Sequence, residues 1–313
     1  MEEQIKVVAD AAYPLDGILT LPDSGAGKFP GAVFVHGSGP QDKDETVGAT
    51  KTFRDLADGF AKRGIASIRY DKRTFAHGEQ MVGELGGALS VEEETIQDAI
   101  AAVKLLKADP RIDAGRIFIA GHSLGGMLAP RIDAEGADVK GLVILAGTMR
   151  TLDEVILDQN ADALSHMDEE QLKAIAPQLQ ALEELKKKFA AIDDMPEETA
   201  KQTLLDGSMH VYAWYLKDMK QHPTPEYIKN IRKPILVLQG DKDVHVSVEK
   251  DFEQYKQVLK DNPNATCKLY PGLNHLFMKA IYGTINQVME EYNVPQTVDA
   301  GVLEDITQWI LAV

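Results

Sequence analysis

Short apolar runs of strand length alternate with helical patterns along most of this chain, and that alternation restricts its fold more than any other feature. Ala32–Val35 reads as a buried strand, followed by a helix over Thr52–Arg63 and a strand over Ile65–Tyr70. Ser90, with Glu93 three residues on, forms a capping box. The helix it opens places Ile96, Ile100, Val103 and Leu106 on one stripe before Asp109-Pro110 closes it. Strands are predicted at Arg116–Ala120, Gly141–Ala146, Pro234–Gln239 and Thr266–Tyr270. Helices are predicted from about Leu124, over Lys250–Leu259 and over Val298–Leu311. This is the pattern of the α/β class, a mostly parallel central sheet with helices on both faces. Ile5–Val8 and Gly17–Leu21 predict instead an antiparallel hairpin at the sheet edge.

One interval breaks the rhythm. Between Thr148 and about Ile231 no strand is predicted, and charged, Leu-, Ala- and Met-rich helical patterns dominate. Asp168 is placed to cap a helix running to about Ala190, and Pro196 to start another. The interval is too long for a simple loop. It reads as a helical cap, residues 148–231, inserted into a core domain made of residues 1–147 and 232–313.

With 313 residues, 44% of them hydrophobic, the chain can build a large core without a disulfide or structural metal. A net charge of −16 repels phosphates and anionic headgroups, which argues against nucleic acid and membrane surfaces as partners. The single cysteine, Cys267, lies in the strand-like run Thr266-Cys267-Lys268-Leu269-Tyr270, where a structural thiol is expected. The N-terminal residues are acidic and carry no apolar stretch, unlike a signal peptide, and no run approaches the ~18 apolar residues of a membrane span. A cytoplasmic protein is the expectation, with a homo-oligomer left open.

The chemistry concentrates at Gly121-His122-Ser123-Leu124-Gly125-Gly126, between a predicted strand and a predicted helix. A serine hydroxyl is a poor nucleophile unless it is exposed, beside a base, and near donors for the developing oxyanion. A sharp strand-to-helix turn lifts Ser123 out of the sheet, small neighbours permit the strained backbone, and the helix N-terminus offers the Leu124 amide to the oxyanion.

This segment resembles the nucleophile elbow of the α/β-hydrolase superfamily, whose members carry a triad in the order Ser, acid, His. That order leaves two histidines after the strand Pro234–Gln239, His245 and His275. His245 shares a short loop with the acid candidates, whereas His275, in Pro271-Gly272-Leu273-Asn274-His275, follows the next strand and is expected to be the general base. Gly240-Asp241-Lys242-Asp243-Val244-His245-Val246 is similar to the superfamily's Gly-x-x-Asp-x-x-Val turn, which implies Asp243 as the acid and leaves Asp241 as its competitor. The alternation of Asp241, Asp243 and His245 could also suggest a metal, but no zinc-ligand spacing accompanies it, so neither metal nor cofactor is expected. By the same resemblance the loop Val35-His36-Gly37-Ser38-Gly39-Pro40 supplies the second oxyanion donor, the Ser38 amide, with His36 as a structural residue bonding the loop.

The run from Gly37 to Glu45, with Arg69-Tyr70-Asp71-Lys72-Arg73, resembles bacterial carboxylesterases of the serine-aminopeptidase-like and dienelactone-hydrolase-like branch. Many of those continue Asp-Lys-Arg-Gly where this chain has Thr74. Asp42–Glu45 and Asp71–Arg73 are expected to form loop salt bridges rather than touch substrate. In the cap, His210, Tyr212, Trp214 and Tyr215 form an aromatic-rich cluster that either packs between helices or lines the substrate pocket. The resemblance implies a serine hydrolase acting on a small-molecule carboxylic ester through an acyl-enzyme. A peptidase or thioesterase on the same triad is the alternative, and an inactive binding protein on the same fold is the rival of another class.

Overall fold

Period-two alternation sorts the side chains of each strand onto two faces, and both faces of the sheet are covered by helices in the computed structural model, which describes residues 1–23, 27–206 and 211–313. The strands are β1 (Glu2–Val7), β2 (Leu15–Thr20), β3 (Phe29–Val35), β4 (Ala66–Tyr70), β5 (Ile112–His122), β6 (Gly141–Leu145), β7 (Ile235–Gly240) and β8 (Ala265–Tyr270). They lie side by side in the order β1-β2-β4-β3-β5-β6-β7-β8. The predicted hairpin is present: β1 pairs antiparallel with β2, and β2 antiparallel with β4. From β4 to β8 every pairing is parallel.

Ala32 and Phe34 of β3, Phe118 of β5 and Leu236 of β7 pack against α1 (Thr52–Ala61) and α12 (Ala300–Ala312). Their alternates Val33, Ile119 and Val237 face α3 (Gln97–Ala108), α4 (Leu124–Ile132) and α11 (Glu253–Leu259). Each fully buried Phe or Leu of this kind stabilises the fold by roughly 1.5–3 kcal/mol. The Ser90 cap forms as expected: Glu93 Oε2 accepts from the Ser90 amide at 3.0 Å and from its hydroxyl at 2.8 Å.

Between β6 and β7 the chain inserts α5 (Leu152–Ser165), α6 (Glu169–Ala174), α7 (Ala176–Ala191), α8 (Glu197–Ala200), α9 (Ala213–Gln221) and α10 (Thr224–Ile228). Asp168 caps α6, accepting from Glu170 N and Gln171 N. The single helix predicted to run to Ala190 is in fact two, broken at Ile175, because Pro177 starts a new helix and has no N–H to continue the old one. The expectation of a strand-free insertion also needs correction. Leu204–Asp206 pairs antiparallel with Val211–Tyr212, a ladder too short to show a period. A further unexpected helix, α2 (Arg73–Glu84), follows β4; Gly78 and Gly83 dilute its helical signal, and it is kinked at His77. Among the described residues no helix is long and apolar enough to cross a membrane.

Candidate active site

The sharp turn between β5 and α4 depends on two glycines. A Cβ at Gly121 would stand 2.2 Å from the Gly125 carbonyl oxygen, and one at Gly125 would stand 2.0 Å from that of Val35. Only bare backbone fits there, so the turn closes tightly and Ser123 takes φ 53°, ψ −115°, a strained conformation for a residue with a side chain. Its amide donates to Leu145 O at 2.8 Å, tying the turn to β6. Ser123 is half-buried.

The loop after β3 lies against this turn: a Cβ on Gly37 would come within 3.3 Å of Ser123 Cβ. Ser38 and Leu124, whose amides are the expected oxyanion donors, line the same cavity as Ser123. His36 is buried, its ring against Phe53 and Tyr70 and its Nε2 bonded to Asp42 O at 2.9 Å. Burial lowers its pKa to about 4.

The turns after β7 and β8 come together. Asp243 Oδ2 and His275 Nδ1 are 2.8 Å apart. The other oxygen of Asp243 accepts from the amides of His245 at 2.8 Å and Val246 at 3.0 Å. Burial opposes the Asp243 charge, but His275 and these amides hold its carboxyl below the usual aspartate value. Asp241 points elsewhere, accepting from Gly272 N at 2.7 Å and so bracing the turn that carries His275. That turn is shaped by Asn274, whose Oδ1 accepts from Leu276 N and Met278 N at 3.0 Å each.

The His275 ring lies between two other imidazoles, that of His122 at 4.6 Å and that of His245 at 4.9 Å between centroids. His245 packs against His275, and burial, with His275 next to it, lowers its pKa to about 4. His122, the residue before Ser123, bonds through Nε2 to the His275 carbonyl at 3.0 Å and through Nδ1 to Glu45 Oε1 at 2.9 Å. His275 therefore stands beside the turn that carries Ser123.

The neighbouring charges pair locally. Lys43 bridges to Asp71, Asp44 to Lys51 and Arg69, and Arg73 grips Asp98 through two nitrogens. Lys72 Nζ donates to Gly37 O at 2.9 Å and lies 3.4 Å from Glu94. Glu45, expected to form a loop salt bridge, is fully buried and bonded to His122 and to Gly37 N in the loop after β3. Cys267 lies on β8, where burial pushes its thiol up to about 11. Among the described residues no three metal-ligating side chains are grouped.

Two cavities meet at Ser38, Leu152 and Val211. The first, about 690 Å³, holds Ser123 and is walled by Met127, Val155, Leu185 and Phe189. The second, about 670 Å³, runs from Pro40 along α2 past Thr74, Gly78 and Val82 to Glu94. Of the cap cluster, Tyr212 and Tyr215 line the second cavity, and the Tyr215 hydroxyl donates to Glu94 at 2.5 Å. Trp214 instead packs partly against the core, with Lys201 Nζ 5.0 Å from its ring centroid. His210 lies outside the described residues.

Residues 45–279 match the family described as serine aminopeptidase, S33. The chain belongs to that family, and with it to the α/β-hydrolase superfamily. A curated relative, esterase EstD of Thermotoga maritima, is 36% identical over 298 residues, covering 95% of this chain and 65% of its own length. Solved structures share the fold of this S33-family chain at low identity. Est1E from Butyrivibrio proteoclasticus superposes with TM-score 0.58 and 16% identity over 98% of this chain and 99% of its own. A Pyrococcus furiosus esterase gives 0.56 and 17% over 99% and 91%. A dienelactone hydrolase from Anabaena variabilis gives 0.54 and 15% over 100% and 97%.

Sequence reading missed Glu45 and the flanking role of His122. Glu45 is one charge in an acidic loop run, and its partner is 77 residues away; an acidic residue seven before the helix over Thr52–Arg63 would be no rarer on a surface.

Proposed function

We propose that this protein is a carboxylesterase whose triad is Ser123, His275 and Asp243. His275 Nε2 takes the Ser123 proton as Oγ attacks the ester carbonyl. The Ser38 and Leu124 amides stabilise the oxyanion, and the alcohol leaves with the proton returned by His275. Water, deprotonated by the same imidazole, then attacks the acyl-enzyme, and the acid is released. The observation that carries the reading is the buried Asp243–His275 bond, 2.8 Å long, in a turn whose backbone is bonded to the residue preceding a strained Ser123.

The family's description favours a second reading, an aminopeptidase, and the cavities weigh against it. A free substrate amine needs a carboxylate to meet it. Of the carboxylates that line the cavities, buried Glu94 already accepts from Thr74 and Tyr215 and faces Lys72, Glu184 pairs with Lys187, and Glu79 is exposed on α2. Esterase EstD is a relative by sequence, and its name points the same way. The proposal includes residues 148–231 as a lid, a small-molecule ester as partner and the cytoplasm as the setting.

Ser123→Ala is expected to lower turnover of p-nitrophenyl butyrate by about three to six orders of magnitude, and to abolish labelling by a fluorophosphonate. Wild-type activity higher on aminoacyl p-nitroanilides than on any acyl ester would move the assignment to the peptidase. Retained labelling of the alanine variant would remove Ser123 from the mechanism.

A further inference from the structure

A buried charged pair lies beneath the elbow and has no part in the triad. Glu45 is 0% exposed and sits at φ 52°, a left-handed conformation that a side chain rarely adopts. Among the described residues, all its side-chain hydrogen bonding passes through Oε1, which accepts from Gly37 N at 3.3 Å and meets His122 Nδ1 at 2.9 Å. Among the described residues Oε2 has no partner.

His122 is 3% exposed, and both of its ring nitrogens face oxygens. The His275 carbonyl can only accept, so Nε2 carries a proton. Nδ1 faces Glu45 Oε1, which also accepts from Gly37. The arrangement favours an imidazolium paired with the Glu45 carboxylate. Burial opposes that charge, but the Glu45 carboxylate, the His275 carbonyl and Asp243 together outweigh it and raise the His122 pKa. The other charged or titratable groups facing the pair are Lys72 from the end of β4, His36 from the oxyanion loop, and Asp243, His245 and His275 from the turns after β7 and β8.

We propose that Glu45 and His122 are a positioning pair that holds the oxyanion loop and the base-carrying turn in register with Ser123. The pair joins three segments that nothing local connects. Glu45 reaches 8 residues back to Gly37, 77 forward to His122, and His122 reaches 153 forward to His275. Neither side chain touches the reacting atoms. Their effect passes through the Gly37–Ser38 backbone on one side and the His275 backbone on the other. A buried pair suits this task because a lone buried charge is costly, so each partner restricts where the other can go. The proposal rests on the triad reading above.

The test is a double-mutant cycle with Glu45→Gln and His122→Asn, measuring kcat for p-nitrophenyl butyrate per active site titrated by a fluorophosphonate. Gln keeps an acceptor for Gly37 and removes the charge, while Asn keeps a donor at the Nδ1 position and loses the bond to His275 O. Each single variant is expected to lose about 10- to 100-fold in kcat per titrated site, as a small displacement of reacting groups does. KM should stay within about threefold, and the double variant should be no slower than the worse single. His122→Gln, which keeps reach toward His275 O, serves if the Asn variant does not fold. The proposal fails if kcat per titrated site is unchanged, if the loss is only in the number of titratable sites, or if the two effects multiply. A wild-type protein that neither reacts with the fluorophosphonate nor turns over esters would sink the triad reading itself, a separate outcome.

Discussion

At the scale of single residues, hydrogen bonds divide two aspartates that stand two apart in one loop. Asp243 turns inward to His275, and Asp241 turns to the amide of Gly272. Asp243→Asn should leave the geometry nearly intact but favour the wrong tautomer of His275, lowering kcat by about 10⁴-fold with little change in KM. Asp241→Asn should stay within severalfold in kcat and lose about 1–2 kcal/mol of stability with its charged hydrogen bond. Steady-state kinetics and urea melts of the two variants separate these outcomes, and equal kinetic losses would reopen the assignment of the acid. Ser123 was legible because six contiguous residues dictate its turn. Asp243 and His275 needed a family pattern to choose them, since their contact spans 32 residues. Glu45 was not legible, because nothing near it in sequence says that its carboxylate is buried under a loop that closes only in the folded state.

Among elements, the strands that carry the site could be read in advance, because a strand buried on both faces is a continuous apolar run with turn residues at its ends. The insertion was legible as helices but not in its breaks or its ladder, which consist of two or three residues. That ladder and α2 both line the second cavity, through Val211 and Tyr212 and through Thr74, Gly78 and Val82. An ester held at Ser38 has room for one arm in each cavity. Gly78 offers a clean way to test this: it lines the second cavity on α2, has an ordinary φ, and a Cβ there meets nothing within 4 Å. Gly78→Trp should narrow that cavity without unfolding α2, since Gly is the weaker helix former of the two. We expect kcat/KM for esters bulky on both sides of the carbonyl to fall by about tenfold or more, with p-nitrophenyl acetate held within about twofold; a loss of about 1.4 kcal/mol in binding the second arm is enough. Equal effects on both substrates would mean that the cavity takes no part in binding.

For the molecule as a whole, the histidines that pack the site make its stability depend on pH. His36 and His245 are buried and kept neutral, each with its pKa lowered from 6.5 to about 4. Between those values the unfolded chain binds protons that the folded chain refuses, so acidification favours unfolding. The sign follows: this stability is fully present above pH 6.5, declines as the pH falls, and has been lost at about 4. Each group accounts for roughly 3 kcal/mol over that whole range. The net charge of −16 acts in the opposite direction, because protonating surface carboxylates relieves repulsion. A comparison between variants cancels that general effect. His36→Gln can still donate toward Asp42 O, but it has no proton to gain, so its stability between pH 7.5 and pH 5 should fall by about 2 kcal/mol less than that of the wild type. Urea unfolding at the two pH values measures the difference, and identical losses in the two proteins would mean that His36 is already protonated in the fold or stays neutral in both states.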